Sequence, residues 1–202
     1  MNQTHFKQGG AAILLALLLL VSTGCSWVDG VVQSQAKRML SQDLVFAKAS
    51  TFGRSLAITQ QVDVSIGSRK FSMIQQTEID ATEIRLAGLS HFGSPFFTLQ
   101  YIGTHLISEK MPLLPDAFHV PVVLRDFQLS FWPLTELRAI YRAKGYDIVE
   151  RDKQRILLKD GGEIITVHYQ YSDKMLGKAD FEHHQLGYRV VFNTVDVQRL
   201  EE

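Results

Sequence analysis

Residues 56–79 read LAITQQVDVSIGSRKFSMIQQTEI. Leu56, Ile58, Val62, Val64 and Ile66 alternate with Ala57, Thr59, Gln61, Asp63 and Ser65, the period of two expected of a half-buried strand. Gly67-Ser68 is a turn signal. Phe71, Met73, Thr77 and Ile79 resume the alternation, so the stretch predicts a β-hairpin. The pattern continues through strands predicted at Thr82–Leu89 and Pro95–Ile102. Gly103-Thr104 then turns the chain into a weaker strand, His105–Met111. Five strands joined by short turns make an antiparallel meander.

Three prolines and Asp116 between Pro112 and Pro121 predict a loop that ends the meander. Val123, Leu124, Phe127 and Phe131 are then spaced as one face of a helix. Pro133 interrupts that helix and suits the first turn of a second, which carries Leu134, Leu137, Ile140 and Tyr141 and stops at Gly145. Strands resume at Tyr146–Glu150, Arg155–Lys159 and Glu163–Tyr171, separated by Asp152-Lys153 and by Asp160-Gly161-Gly162. Lys178–Gln185 follows, and Leu186, Tyr188, Val190 and Phe192 form a final alternation. Upstream, the apolar positions between Trp27 and Ser50 predict an amphipathic helix covering one side of the core or lying near a membrane. Runs of strands with helices grouped at the start and the middle, and no βαβ rhythm, give an α+β fold: a curved antiparallel sheet of about ten strands.

The N-terminus is of a different kind. Ala11–Val21 is an unbroken apolar run, shorter than the roughly 20 residues of a membrane span and suited to the core of an export signal. Ser22-Thr23-Gly24 follows, then Cys25, the only cysteine of 202 residues. This arrangement resembles the lipobox of bacterial lipoproteins, with Ser22 where that family carries Leu, Val or Ile. The resemblance implies a signal peptide over 1–24 and acylation of Cys25. A tether and the amphipathic helix then occupy 25–50, and a single folded domain occupies 51–202. Several acyl chains, at about 0.8 kcal/mol per buried methylene, make a stable anchor where one would not. In the family logic, Ser26 rather than Asp after the cysteine implies the outer membrane.

The rest of the composition narrows the function by exclusion. Lys plus Arg and Asp plus Glu are both 21, which leaves no basic field of the kind nucleic acid requires. No HExxH, GxSxG or glycine-rich phosphate loop occurs. Asp180, Glu182 and His184 with His168 could share a face as a metal site, but a solvated polar face accounts for them as well. On a strand, the adjacent His183 and His184 point to opposite sides. No catalytic residue, metal or cofactor is assigned. Aromatic residues concentrate between Phe92 and Tyr141, and Phe97, Phe127, Phe131 and Trp132 are the candidates for lining an apolar cavity between sheet and helices.

The runs QTEIDATEIRLAGLSHFGSPFFTLQY, LLP (Leu113–Pro115), LRDFQLSFWPLTELRA and LGYRVVF resemble a group of uncharacterised Gram-negative lipoproteins over about Leu56 to Val195. Their genes are often found beside aryl-polyene biosynthesis genes. That group in turn resembles the lipoprotein receptor LolB and its carrier LolA. The resemblance implies an unclosed half-barrel whose central helices cover an apolar concavity that accepts acyl chains. It also implies a periplasm-facing, lipid-anchored outer-membrane protein that binds an acylated lipid or lipoprotein cargo. The partners implied are the membrane and a LolA-like carrier. A structural lipoprotein with a filled core and a lipid-modifying enzyme using His168 or His184 are the competing readings.

Overall fold

A computed structural model describes residues 44–114 and 118–201. Ten strands form one antiparallel sheet: β1 (Leu56–Ile66), β2 (Arg69–Ile79), β3 (Glu83–Leu89), β4 (Pro95–Ile102), β5 (His105–Lys110), β6 (Tyr146–Arg151), β7 (Gln154–Lys159), β8 (Gly162–Tyr169), β9 (Lys178–His183) and β10 (Tyr188–Arg199). Their order is β5-β4-β3-β2-β1-β10-β9-β8-β7-β6. The chain thus builds one wing, crosses the sheet's interior side as two helices, and builds the other wing inward until β10 closes against β1. All neighbours pair antiparallel. The opening hairpin is in register from Leu56↔Ile79 to Ile66↔Arg69.

The turns follow from their residues. Asp152 and Lys153 both have positive φ, as do Asp160 and Gly161. This is the backbone twist that two-residue hairpins need. Between β2 and β3, Asp80 Oδ1 accepts from the Thr82 hydroxyl (2.6 Å), the Thr82 N–H (2.7 Å) and the Glu83 N–H (2.9 Å). The Thr82 hydroxyl, then the backbone donors, hold this carboxyl below its usual range.

Among the described residues the α-helices are α1 (Val120–Phe131) and α2 (Leu134–Arg142). Pro121 falls in the first turn of α1 rather than in the preceding loop, because a first-turn N–H has no intrahelical acceptor to lose. Pro133 separates the helices and Gly145, at φ 79°, ends the second. Helix α1 approaches β4 and β5 on one wing and β9 on the other. Those strands lie up to six inter-strand steps apart, roughly 29 Å if the sheet were flat. Twelve helical residues span only about 18 Å. The sheet therefore curves round α1, as the alternation implied, and register shifts at Thr59/Gln60, Gly88/Leu89 and Leu157/Leu158 assist the bend. Strands β5 and β6 remain unpaired with each other, so the barrel is not closed.

The amphipathic helix predicted to run to Ser50 is not found in its described part. Leu44–Lys48 has no regular structure and Ala49–Phe52 is a short 3-10 turn. The Gln128 side-chain amide occupies both backbone groups of Ala47, donating to its carbonyl and accepting from its N–H, each at 2.9 Å. An α-helical ladder would need those same groups. The remainder of that prediction, Cys25 and the export signal lie outside the described residues.

Candidate functional site

The concave face is floored by Leu56, Ile58, Val62, Met73, Ile79, Ile84, Leu86, Leu99, Phe181 and Phe192, all buried. The four candidate lining residues are all buried: Phe97 (2% exposed), Phe127 (0%), Phe131 (5%) and Trp132 (0%), with Phe97 on this face of the sheet and Phe131 reaching it at Phe192. They form a seam rather than one cluster. The Phe97 ring lies over Gly88, where a Cβ would fall 2.2 Å from it, and packs on Phe118 at 5.4 Å. Phe127 meets Phe131 at 5.1 Å, and Phe131 meets Phe192 of β10 edge-on at 5.4 Å. Trp132 packs at a tilt against Phe52, ring centres 4.6 Å apart, and donates its indole N–H to the Thr51 hydroxyl at 2.9 Å. Phe96, next to Phe97, is half-buried against Phe71.

Apolar periodicity did not mark the polar residues that α1 buries. Arg125 gives Asp126 Oδ1 two hydrogen bonds, at 2.8 and 2.9 Å, and donates to the Tyr188 hydroxyl, which in turn donates to Asp126 Oδ2 at 2.8 Å. Burial pushes the Asp126 carboxyl upward, opposed by Arg125 and Tyr188. For Arg125, burial disfavours the charge, but Asp126, Tyr188 and Tyr141 together outweigh it and raise the pKa. His183 packs beside Tyr188, and burial, then Arg125 and His184, push its imidazole down to about 3. It is a neutral core histidine whose Nδ1 accepts from the Leu186 N–H at 3.4 Å.

At the other end of α1, the sheet satisfies the helix's last carbonyls. Arg155 on β7, fully buried, donates to Leu129 O (2.6 Å), Trp132 O (2.8 Å) and Glu150 Oε1 (2.6 Å). The Tyr169 hydroxyl donates to Ser130 O at 2.6 Å. A cation at this position also complements the negative end of the helix dipole. Burial draws the Glu150 carboxyl upward, yet Arg155 and Lys174 hold it below its usual range.

The histidines considered for metal or catalysis are dispersed. His168 bonds Gln154 at 3.1 Å on an exposed face, and His184 bonds Thr166 at 2.9 Å and approaches Glu182 at 3.7 Å. Asp180 is paired with Arg189. Among the described residues, no three His, Cys, Asp or Glu side chains converge. The groove on the opposite face of β2–β5, lined by residues including Glu78, Arg85, Thr98 and Gln100, holds an exposed Arg85–Glu78 pair and a half-buried Arg85–Glu83 pair and reads as a solvated face.

Residues 57–196 match the family model described as Protein of unknown function (DUF3261). The chain belongs to that family. No curated protein matches its sequence. Among solved structures it is similar to a LolA superfamily protein from Nitrosomonas europaea, at 10% identity and TM-score 0.44, covering 78% of this chain and 96% of that one. It is also similar to an outer membrane lipoprotein-sorting protein domain from Vibrio parahaemolyticus, at 10% identity and TM-score 0.38, covering 84% and 93%. A third is a DUF1329 family protein from Desulfovibrio piger, at 7% identity and TM-score 0.26, covering 84% and 92%. Likeness at TM-scores this low does not carry a function across.

Proposed function

We propose that this DUF3261 protein is an outer-membrane lipoprotein, anchored through Cys25, that holds an acylated lipid or lipoprotein cargo in its concave face. It would help localise that cargo without covalent catalysis. The observation that carries the reading is the apolar floor of an unclosed ten-stranded sheet wrapped round a central helix. A sheet that curves without closing can admit a chain between floor and helix by small movements of either. The end of the β1–β5 wing adds support. Its β1–β2 turn, β3–β4 loop and the start of the β5–α1 connection expose Ile66, Phe92 (98%), Met111 and Leu113. Residues 64–71, 89–97 and 110–114 include Arg69, Lys70 and Lys110 and no acidic residue. Apolar side chains among basic ones suit an anionic bilayer surface.

Lipid extracted from the natively purified full-length protein tests the proposal. Mass spectrometry is expected to find a stoichiometric acyl compound, and none would count against cargo binding. The anchor is tested by Cys25→Ser, which should move the protein from the membrane fraction to the soluble periplasm. The structural-lipoprotein reading has its own support in the four candidate rings, each buried on neighbours within the chain. It predicts a lipid-free preparation with the same anchor.

A further inference from the structure

One row of residues crosses the apolar floor with a different chemistry. Reading from β10 to β5 through the pairing register, it runs Thr194, Gln60, Gln75, Gly88, Phe97 and Lys110. Gln60 and Gln75 sit directly opposite each other, both at 0% exposure. Gln60 Nε2 donates to the Thr194 hydroxyl at 3.0 Å and Gln75 Nε2 to the Thr77 hydroxyl at 3.3 Å. Both Oε1 atoms are buried without a hydrogen-bond partner. Each amide has found one side-chain partner where an amide can make up to four bonds. Buried polar groups are ordinarily satisfied, and two orphans in direct register ask for a missing partner.

The backbone is arranged to put this chemistry here. A register shift opposite Thr59/Gln60 skips Val195, which is left 64% exposed, and brings Thr194 rather than a valine beside Gln60. On the far side, Gly88 contributes no side chain, and the Phe97 ring occupies the space above it. The row, with Thr77 beside Gln75, therefore joins four polar side chains (Thr194, Gln60, Gln75 and Thr77) to the Phe97 ring on the concave face.

We infer that Gln60 and Gln75 form a recognition site for a hydroxyl group carried on the bound acyl chain. This rests on the acyl-binding reading above and sharpens it to a hydroxyacyl ligand. A hydroxyl both donates and accepts, so it can satisfy an orphaned amide in either orientation. Gln60 lies roughly 20 Å from the Ile66 end of β1 and roughly 13 Å from the Leu56 end. For an eighteen-carbon chain lying along β1, this sets the hydroxyl near mid-chain on entry from the Leu56 end and near the tail on entry from the Ile66 end.

The test compares binding of stearate with a series of hydroxystearates, hydroxyl at different carbons, to the full-length protein and to Gln60→Met/Gln75→Met. One isomer should bind about tenfold more tightly than stearate, the scale of one recovered hydrogen bond. The double variant should lose that preference, binding the favoured isomer no more tightly than stearate, and melt no lower than the parent. Equal affinity for every isomer would overturn the inference and assign the amides to a trapped water. A preference that survives in the variant, or a variant that melts lower and binds nothing, would also overturn it. Failure of the parent to bind any of the chains, stearate included, would instead bring down the acyl-binding reading and this inference with it.

Discussion

Helix α1 and the β1–β2 floor both bury polar side chains, but they complete them differently. On α1, Arg125, Asp126, Gln128 and Ser130 each have partners, drawn from Tyr188, from Ala47 and from the helix itself. On the floor, Gln60 and Gln75 face each other with both amide oxygens unmet. A closed network holds one geometry and is costly to break, whereas an open one costs stability until something fills it. The difference separates what α1 does for the fold from what the floor is available to do for a ligand.

Breaking the closed side should be expensive. Arg125→Met leaves Asp126 as an uncompensated buried carboxylate, and urea unfolding should show a loss of about 3–5 kcal/mol. A loss near zero would mean that the Arg125–Asp126–Tyr188 triad is not closed in solution. Next comes Arg155→Met, which strips Leu129 O and Trp132 O of their donor. A loss of about 2–3 kcal/mol is expected, with faster amide exchange in the last turn of α1.

Acid should weaken the same region. The folded protein holds the His183 imidazole near 3, against 6.5 for a free one. Between those values the unfolded chain takes up a proton that the folded chain refuses, so stability is full above the higher value and falls as pH falls through the window. From pH 7 to pH 5 this amounts to about 1–2 kcal/mol. In His183→Asn that share of the pH dependence should disappear from thermal melts, and an unchanged slope would assign it to other groups. The smallest effect on this side is expected from Gln128→Leu. It should cost about 1 kcal/mol and show chiefly as loss of exchange protection at the Ala47 amide.

Most of the fold could be read in the chain because its turns and alternations are local. Gly67-Ser68, Asp160-Gly161 and Pro133 each act on the residues beside them, and the limits of most strands and of α1 and α2 fell within a few residues of expectation, whereas the helix predicted to run to Ser50 is not found in its described part. Two kinds of feature were hidden. Gln60 occupies an inward position in the alternation of Leu56, Ile58 and Val62, but its polarity disguises that. Arg125, Arg155 and Gln128 look like solvent-facing residues because their partners lie 63, 26 and 81 positions away. Spacing reveals which face is apolar; it does not reveal which polar group another part of the chain will meet. The aromatic candidates Phe97, Phe127, Phe131 and Trp132 are buried, as large apolar side chains commonly are, while Phe92 from the same aromatic-rich stretch is 98% exposed.

The position of a bound acyl chain tests the central claim most directly. A photoreactive fatty acid, cross-linked to the intact protein and mapped by peptide mass spectrometry, should label inward-facing residues such as Gln75, Phe97 and Phe131. Labelling confined to the outer face, at Gln76, Arg85 or Gln100, or no labelling at all, would contradict a cargo site in the concavity.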